Sequence, residues 1–349
     1  MAENAQNIGV AMSGGVDSST AALLLLRAGH RVTGFTMRHR GGGMDDAAIA
    51  AARAAADHLG IPHRVVALED DFRTGVVDAF RDAYFNGLTP NPCVVCNRRV
   101  KFGAFMSAAL DAGMHAMATG HYARLERDPA TGFVRMRRAK DEKKDQTYFL
   151  YALEQSTLRK ILFPLGEYVK SETRAMAREA GLPAAESAES QEICFVPRDD
   201  YAAYVASLAP GRARPGRILD TRGALLGWHN GIHGYTIGQR RGLGISSENP
   251  LYVLRIDAAE NTIIAGPDAA LHTDRLTASA CIFNAGAPPP PGTRAQVKIR
   301  YNSPPAPATL QPNGDTVEVV FDNPVRAVTP GQSTVFYDGD FLLGGGIIE

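Results

Sequence analysis

A glycine-rich loop set between an apolar strand and a helix constrains this chain more than any other feature. Ser13-Gly14-Gly15-Val16-Asp17-Ser18-Ser19 follows the run Asn7–Met12 and opens the Ala/Leu-rich stretch Ser18–Ala28, which Gly29 closes. Two adjacent glycines let a backbone turn sharply and approach an anion closely. Successive N–H groups and the helix N-terminus then offer a positive concavity to phosphate. Ser13, Ser18 and Ser19 add hydroxyl donors, while the Asp17 carboxylate suits such a site mainly through a bridging Mg2+. A plain Gly-Ser turn with Ser18 as helix cap would account for the glycines but not for the Ser/Asp pattern. The Lys of G-x-x-x-x-G-K-S/T is missing here and no such match occurs elsewhere, which disfavours γ-phosphate cleavage by that motif.

Strand and helix patterns keep alternating after the loop. Arg31–Met37 reads as a strand, Asp45–Leu59 as a helix closed by Gly60, and His63–Leu68 and His115–Thr119 as further strands. Strands separated by helices imply right-handed crossovers and a doubly wound parallel sheet, an α/β fold whose ligand site lies beyond the carboxyl ends of the strands. Past about residue 205 the helical period fades. Pro210-Gly211 and Pro215-Gly216 mark a linker, Gly216–Ala258 reads as a small strand-rich module, and Pro288–Pro291 is a stiff spacer. From about Leu276, short strands (Gln296–Tyr301, Thr316–Phe321, Thr334–Tyr337, Phe341–Ile348) alternate with turns such as Asn313-Gly314 and Asp338-Gly339, the spacing of a small β-barrel or sandwich. The expected division is 1–205, 206–275 and 276–349.

Composition removes several classes. Lys+Arg and Asp+Glu are 37 each, so the formal net charge is zero, and a nucleic-acid partner would need a local basic patch rather than a polycationic chain. No apolar run approaches a bilayer span, and Met1–Gln6 has neither a basic nor an apolar signal region, so a cytoplasmic location and no membrane contact are expected. Four cysteines in 349 residues do not make a disulfide framework.

Those cysteines carry chemistry all the same. Cys93 and Cys96 lie in Thr89-Pro-Asn-Pro-Cys-Val-Val-Cys-Asn97, Cys194 in Ser190-Gln-Glu-Ile-Cys-Phe195, and Cys281 stands alone. The prolines impose an extended, rigid approach to Cys96, which suits a reactive group on a loop. A structural zinc site wants four ligands, usually two pairs, and only one C-x-x-C is present. An iron–sulfur site with Cys93, Cys96 and Cys194 as ligands, inert buried thiols (the natural reading of Cys281), and a Cys96/Cys194 pair that passes sulfur all stay open.

The loop resembles the S-G-G-x-D-S fingerprint of the PP-loop ATP pyrophosphatases, whose members cleave ATP between the α- and β-phosphates and adenylate an oxygen of a second substrate. That fingerprint alone admits amide-forming synthetases, lysidine synthesis and tRNA thiolation. Over nearly its whole length the chain resembles the tRNA-specific 2-thiouridylase (tRNA-uridine 2-sulfurtransferase) family. The matching segments are Ala11–Ser19, Thr89–Asn97 with Lys101-Phe102, Ala118-Thr-Gly-His-Tyr122, Lys144-Asp-Gln-Thr-Tyr148, Gln191-Glu-Ile-Cys-Phe195 and Tyr235–Gly244.

This resemblance implies an N-terminal PP-loop domain of the adenine nucleotide α-hydrolase-like kind, then two small β-rich domains, the last a β-barrel. It also implies ATP-dependent 2-thiolation of the wobble uridine of tRNA. Uracil O2 would be adenylated, and sulfur then taken from a protein persulfide, with AMP and pyrophosphate released. Cys96 would be the nucleophile and Cys194 the persulfide carrier, and the two would be able to form a disulfide. Ala11, Met12, Ser13, Gly14, Gly15, Val16, Asp17 and Ser18 would hold the ATP phosphates with Mg2+, Met37 would contact adenine, and Gly120 would line the nucleotide site. Lys144, Asp145, Gln146, Arg300 and Tyr301, the last two on a C-terminal strand, would contact tRNA, and Asn91-Pro92 would wall the target base. A sulfur-donor protein (a sulfur relay or a cysteine desulfurase) would load Cys194, and no permanent metal is expected. Many members carry Asp where this chain has Cys93, so no role of that carboxylate transfers, and an iron–sulfur thiolase or an amide-forming synthetase remain the alternatives.

Two further readings concern charge and imidazole. Arg135, Arg137, Arg138, Lys140, Lys143 and Lys144 make a basic run broken by Asp141 and Glu142, either a phosphate-binding patch or a solvated loop. His121, beside Gly120, either faces the nucleotide or is a hydrogen-bonded structural residue.

Overall fold

The computed structural model describes residues 5–40, 45–186, 193–197 and 200–349. Its N-terminal sheet holds five parallel strands: β1 (Asn7–Ala11), β2 (Arg31–Arg38), β3 (His63–Ala67), β4 (Ala116–Thr119) and the short β7 (Ile161–Leu162), in the order β3-β2-β1-β4-β7. The direction of winding reverses between β1 and β4, so the crevice beyond their carboxyl ends is the natural ligand site. β1 is central because Ile8 and Val10 are fully buried. Helix α1 (Val16–Arg27) starts at the glycine loop, and α2 (Asp46–Leu59) packs small residues, Ala52, Ala55 and Ala56, against the same sheet.

The strands β5 (Arg124–Arg127) and β6 (Val134–Arg137) leave this sheet as a hairpin. A middle module holds β8 (Gly216–Leu219), β9 (Leu225–His229), β10 (Tyr252–Asp257) and β11 (Thr262–Gly266), ordered β10-β11-β8-β9. The remaining strands are β12 (His272–Phe283), β13 (Thr293–Lys298), β14 (Ala306–Asn313), β15 (Thr316–Arg326), β16 (Ser333–Asp338) and β17 (Phe341–Ile348). They run antiparallel in the order β12-β15-β14-β13-β16-β17, and β12 pairs β17 to close a six-stranded barrel around Val297, Leu310, Val319 and Phe336. Closure removes the exposed strand edges that an open sheet would leave. Among the described residues no helix is long and apolar enough to cross a membrane.

Two details depart from the sequence reading. The β5–β6 hairpin, drawn from the first 205 residues, extends the barrel sheet through Phe341 opposite Arg137. Arg300 and Tyr301 lie just beyond β13, not on it, because the ladder stops at Lys298. The Ser303 hydroxyl accepts the Arg300 N–H at 3.2 Å, the Ser303 N–H returns to the Arg300 carbonyl, and Pro304 cannot donate to a continuing ladder.

Candidate active site

The glycine loop is shaped by close approach. Gly14 has φ +78°, and a Cβ there would lie 2.7 Å from the Ala51 Cβ and 2.9 Å from the Ala48 carbonyl, so only glycine fits. Gly120, one residue beyond β4, abuts the first turn of α1: its Cβ would fall 2.8 Å from Asp17 C and Ser18 N. The Ser13 N–H donates to Ser18 Oγ (3.2 Å), while Ser18 and Ser19 hydroxyls donate to the Gly15 carbonyl (3.1 and 3.0 Å). No side chain caps α1 at Gly15, which leaves its first-turn N–H groups for an anion. Ala11 ends β1 between β2 and β4, and Met37 packs half-buried near the end of β2. Met12 and Val16 bury their side chains in the core, so of these two only backbone can face a ligand.

Asp17 differs from its expected role. Its carboxylate takes both oxygens to Lys170 Nζ at 2.7 Å and accepts the Tyr122 hydroxyl at 2.9 Å. A Mg2+ ion bridging Asp17 to phosphate would compete with this pair. Among the described residues no cluster of three or more Cys, His, Asp or Glu side chains is arranged to hold a metal.

Cys96 follows the short helix Pro92–Val95 and opens the π-helical segment Cys96–Phe105. Asn91 caps that helix, its Oδ1 accepting the Val94 N–H at 3.3 Å. The segment is gripped from elsewhere in the chain. The Thr89 N–H donates to the Pro330 carbonyl (2.9 Å), Gln332 Nε2 donates to the Thr89 carbonyl (3.0 Å), and the Thr89 hydroxyl reaches Thr236 in the middle module (3.3 Å). Gly331, at φ +88°, lies so close to Leu88 and Thr89 that a Cβ would meet both at 2.9 Å.

Cys194 arrives from a distant stretch and is fixed by its neighbour Phe195. That ring packs edge-on to Phe72 (5.5 Å) and Phe80 (5.2 Å), within the normal range for aromatic pairs. The Cys194 carbonyl accepts Arg40 Nη1 at 3.2 Å. Arg40 is in turn held by the buried Asp45, which accepts its Nε at 2.6 Å and the N–H groups of His39 and Arg40 at 2.7 Å each. Burial alone would raise the Asp45 carboxyl, but these hydrogen bonds prevail and hold it below the usual carboxylate range. Ser190, Gln191 and Glu192 lie outside the described residues.

Cys93, Cys96 and Cys194 are free thiols close enough for electrostatic influence on ionisation among them, and the Lys101 charge acts on all three. Burial pushes Cys96 up to about 11, opposed by Lys101; it raises Cys93, assisted by Cys194; and it raises Cys194, opposed by Arg40 and Lys101. The Lys101 ammonium also sits 3.4 Å from His121 Nε2, while His121 Nδ1 bonds the Thr119 hydroxyl at 2.6 Å. Desolvation and then Lys101 hold His121 well below the usual imidazole range, so it is neutral at pH 7. Contacts therefore run from the glycine loop through Gly120 and His121 to Lys101, whose charge acts on the thiols. Cys281 lies apart in the barrel wall, its thiol pushed up to about 11 by burial.

Sequence reasoning gave Lys101, Arg40, Asp45 and Lys170 no role. Lys101 stands five positions after Cys96, off the face in an α-helix, but π-type i→i+5 bonding brings positions five apart back together. Nothing in the residue pattern announced that widening.

The remaining expected residues gather where the N-terminal domain meets the barrel. Gln146 Oε1 accepts the Tyr122 N–H (2.9 Å), and Asp145 accepts from the Ala139 N–H (3.0 Å) and the Thr147 hydroxyl (2.7 Å), so both brace the backbone. Tyr301 packs on Phe149 at 4.4 Å, with Lys298 over its ring, and Lys144 acts electrostatically on it. Arg300 Nη2 donates to the carbonyls of Ala327 (2.7 Å) and Ile237 (3.3 Å), tying barrel to middle module. The basic run is not one loop. Arg135 and Arg137 stack on Phe341, and Arg138 on Tyr337 at 4.1 Å.

A family model described as the tRNA methyl transferase HUP domain matches residues 6–198, and one described as the tRNA methyl transferase PRC-barrel domain matches 206–267. The aminomethyltransferase beta-barrel domain model matches 273–348. The tRNA-specific 2-thiouridylase MnmA of Acetivibrio thermocellus is 44% identical, the alignment covering 97% of this chain and 98% of that one. Its counterpart from Carboxydothermus hydrogenoformans is 45% identical, with 97% and 96% covered, and that from Clostridioides difficile is 43% identical, with 97% of each covered.

Proposed function

The chain belongs to the tRNA-specific 2-thiouridylase family, and from that premise we propose that it is a tRNA-uridine 2-sulfurtransferase that uses ATP to thiolate the wobble uridine. The observation that carries the reading is that Lys101, tied through His121 and Gly120 to the glycine loop, acts electrostatically on both Cys96 and Cys194, which come from segments nearly a hundred residues apart.

Uracil O2 is a poor leaving group. Transfer of AMP to it makes a phosphate-type leaving group, while the loop N–H groups and the α1 N-terminus stabilise the charge on departing pyrophosphate. ATP would lie along Ala11–Ser18, with adenine toward Met37 and its phosphates past Gly120. The terminal sulfur of a Cys194 persulfide attacks C2 and AMP leaves. The Cys96 thiolate then attacks the Cys194 sulfur, releasing 2-thiouridine and leaving a Cys96–Cys194 disulfide. Lys101 and Arg40 favour the thiolates this requires, against the cost of their burial.

The target base must leave its stack to enter, with Asn91-Pro92 as its wall. Residues 1–205 would supply the chemistry, and 206–275 and 276–349 would hold the tRNA. Lys144 and Tyr301 are the strongest candidate contacts of the predicted set, while Asp145, Gln146 and Arg300 would act mainly by shaping that surface. A sulfur-donor protein would load Cys194, and the reaction would take place in the cytoplasm. Nucleoside mass spectrometry of tRNA incubated with the protein, ATP and a sulfur donor tests this; absence of 2-thiouridine rejects it.

One observation favours a second reading: a third thiol, Cys93, joins the pair, as an iron–sulfur thiolase would want. Stoichiometric iron with visible cluster absorbance in anaerobically purified protein would establish it.

A further inference from the structure

Cys93 has no part in the transfer chemistry, yet its placement is specific. It lies in the single helical turn Pro92–Val95, three residues before Cys96, whose φ/ψ of −60°/−47° continues that turn. Residues three apart on a helix share a face with Cβ atoms about 5–6 Å apart, a spacing that small backbone adjustment brings to disulfide geometry. The Asn91 cap and Pro92 at the first helical position fix the turn, which sets Cys93 and Cys96 on one face of it before any reaction. Cys93 and Cys194 are exposed and Cys96 is half-buried, while burial raises all three thiols, Cys96 to about 11. Arg40 and Lys101 stand by to stabilise a thiolate at Cys194. A carboxylate at position 93, the residue common in the family pattern, could not enter sulfur exchange.

We propose that Cys93 is a resolving thiol that frees Cys194 after each turnover. This rests on the sulfur-transfer reading above. The Cys93 thiolate attacks Cys96 Sγ of the Cys96–Cys194 disulfide. A Cys93–Cys96 bond forms, the bond to Cys194 breaks, and Cys194 departs as a thiolate with the electron pair. The exchange involves no net oxidation. The proton lost by Cys93 is balanced by that later taken up at Cys194. Two electrons from an external dithiol, attacking at Cys93, then return the Cys93–Cys96 pair to thiols. Cys194 is thereby open to a new persulfide before the pair is reduced.

The test is a single turnover without reductant. Full-length protein carrying one persulfide on Cys194 is mixed with tRNA and ATP, quenched in acid, alkylated and mapped by peptide mass spectrometry. The expected product has a Cys93–Cys96 disulfide and alkylated Cys194, exceeding the Cys96–Cys194 form at least about tenfold, equivalent to about 30 mV. Cys93→Ser should instead trap Cys96–Cys194. Wild-type protein trapped as Cys96–Cys194 with Cys93 alkylated overturns this proposal and leaves the sulfur-transfer reading standing. Turnover that makes 2-thiouridine with no disulfide overturns both. A second arm needs no turnover: Cys194→Ser equilibrated in a glutathione buffer should form the Cys93–Cys96 disulfide, and failure to form it while the protein remains folded by circular dichroism also overturns the proposal.

Discussion

The glycine loop and the thiol site are linked through Gly120, His121 and Lys101 but are built in opposite ways. The loop is local: β1, four residues of turn and the first turn of α1 supply nearly all of it, with Gly120 as the one distant element. The thiol site is assembled from Arg40 and Asp45, the 89–105 segment and Cys194, and it is braced by Pro330, Gly331 and Gln332 near the far end of the chain. A local site depends on backbone conformation and fails when a glycine is replaced. An assembled site depends on the packing of remote segments, so damage to the barrel should reach the chemistry without touching nucleotide binding.

The largest expected effect is on the local site. Gly14→Ala combines a left-handed backbone with a Cβ in contact with Ala51, a cost of about 2–5 kcal/mol together. Isothermal titration calorimetry should find ATP binding weakened at least about 100-fold if roughly 3 kcal/mol of that falls on the loop. The alkylation rates of Cys96 and Cys194 should stay near wild type, and a parallel loss in those rates would erase the contrast between the sites.

Next comes the electrostatics of the assembled site. Lys101 lowers the thiol pKa values that burial has raised, so Lys101→Met should raise them further and shrink the thiolate fraction at pH 8. One unit of further rise is a tenfold slower alkylation, with about 1.4 kcal/mol as its equivalent. In wild-type protein the Cys96 alkylation rate should climb toward pH 11, and in the variant the profile should move to higher pH with ATP affinity kept. An unmoved profile would remove Lys101 from the site.

Asp45 tests the brace behind Cys194. Its folded-state pKa is below the ordinary value, so its contribution to stability is full above that ordinary value, near 4, and is lost as pH falls through the folded value. Asp45→Asn should therefore destabilise the protein by about 2–3 kcal/mol at pH 7, through the weakened hydrogen bonds to Arg40 and His39, and by less at pH 3. Urea denaturation at the two pH values measures the difference, and an equal loss at both would contradict the assignment. The smallest effect is expected for Gln332→Ala, which loses one hydrogen bond to the Thr89 carbonyl. It should cost about 1 kcal/mol of stability and slow thiolation a few-fold, with ATP binding unchanged.

The same contrast explains what could be read from the residues alone. The loop was legible because strand, glycines and helix are contiguous, and the alternation through β1, β2 and β3 announced a parallel sheet. The cysteines were legible as chemistry, but their partners were not. Lys101 depends on a π-helical widening, Arg40 on a carboxylate five residues later, and the grip of Gln332 on Thr89 on a tertiary contact across 243 positions. The strand expected at Gln296–Tyr301 stopped at Lys298 because Ser303 bonds back to Arg300. The basic run looked like one surface patch, yet three of its arginines are taken up by aromatic rings of the barrel.

If the two thiols act in one place, sulfur carried on Cys194 reaches the RNA only when Cys96 is there to cleave the residual S–S bond. Protein carrying a heavy-isotope persulfide on Cys194 should, with ATP and tRNA, yield 2-thiouridine bearing that isotope in one turnover. Cys96→Ser loaded in the same way should bind ATP normally and release none. Labelled product from Cys96→Ser at the wild-type rate, or unlabelled product from the wild type, would contradict the account.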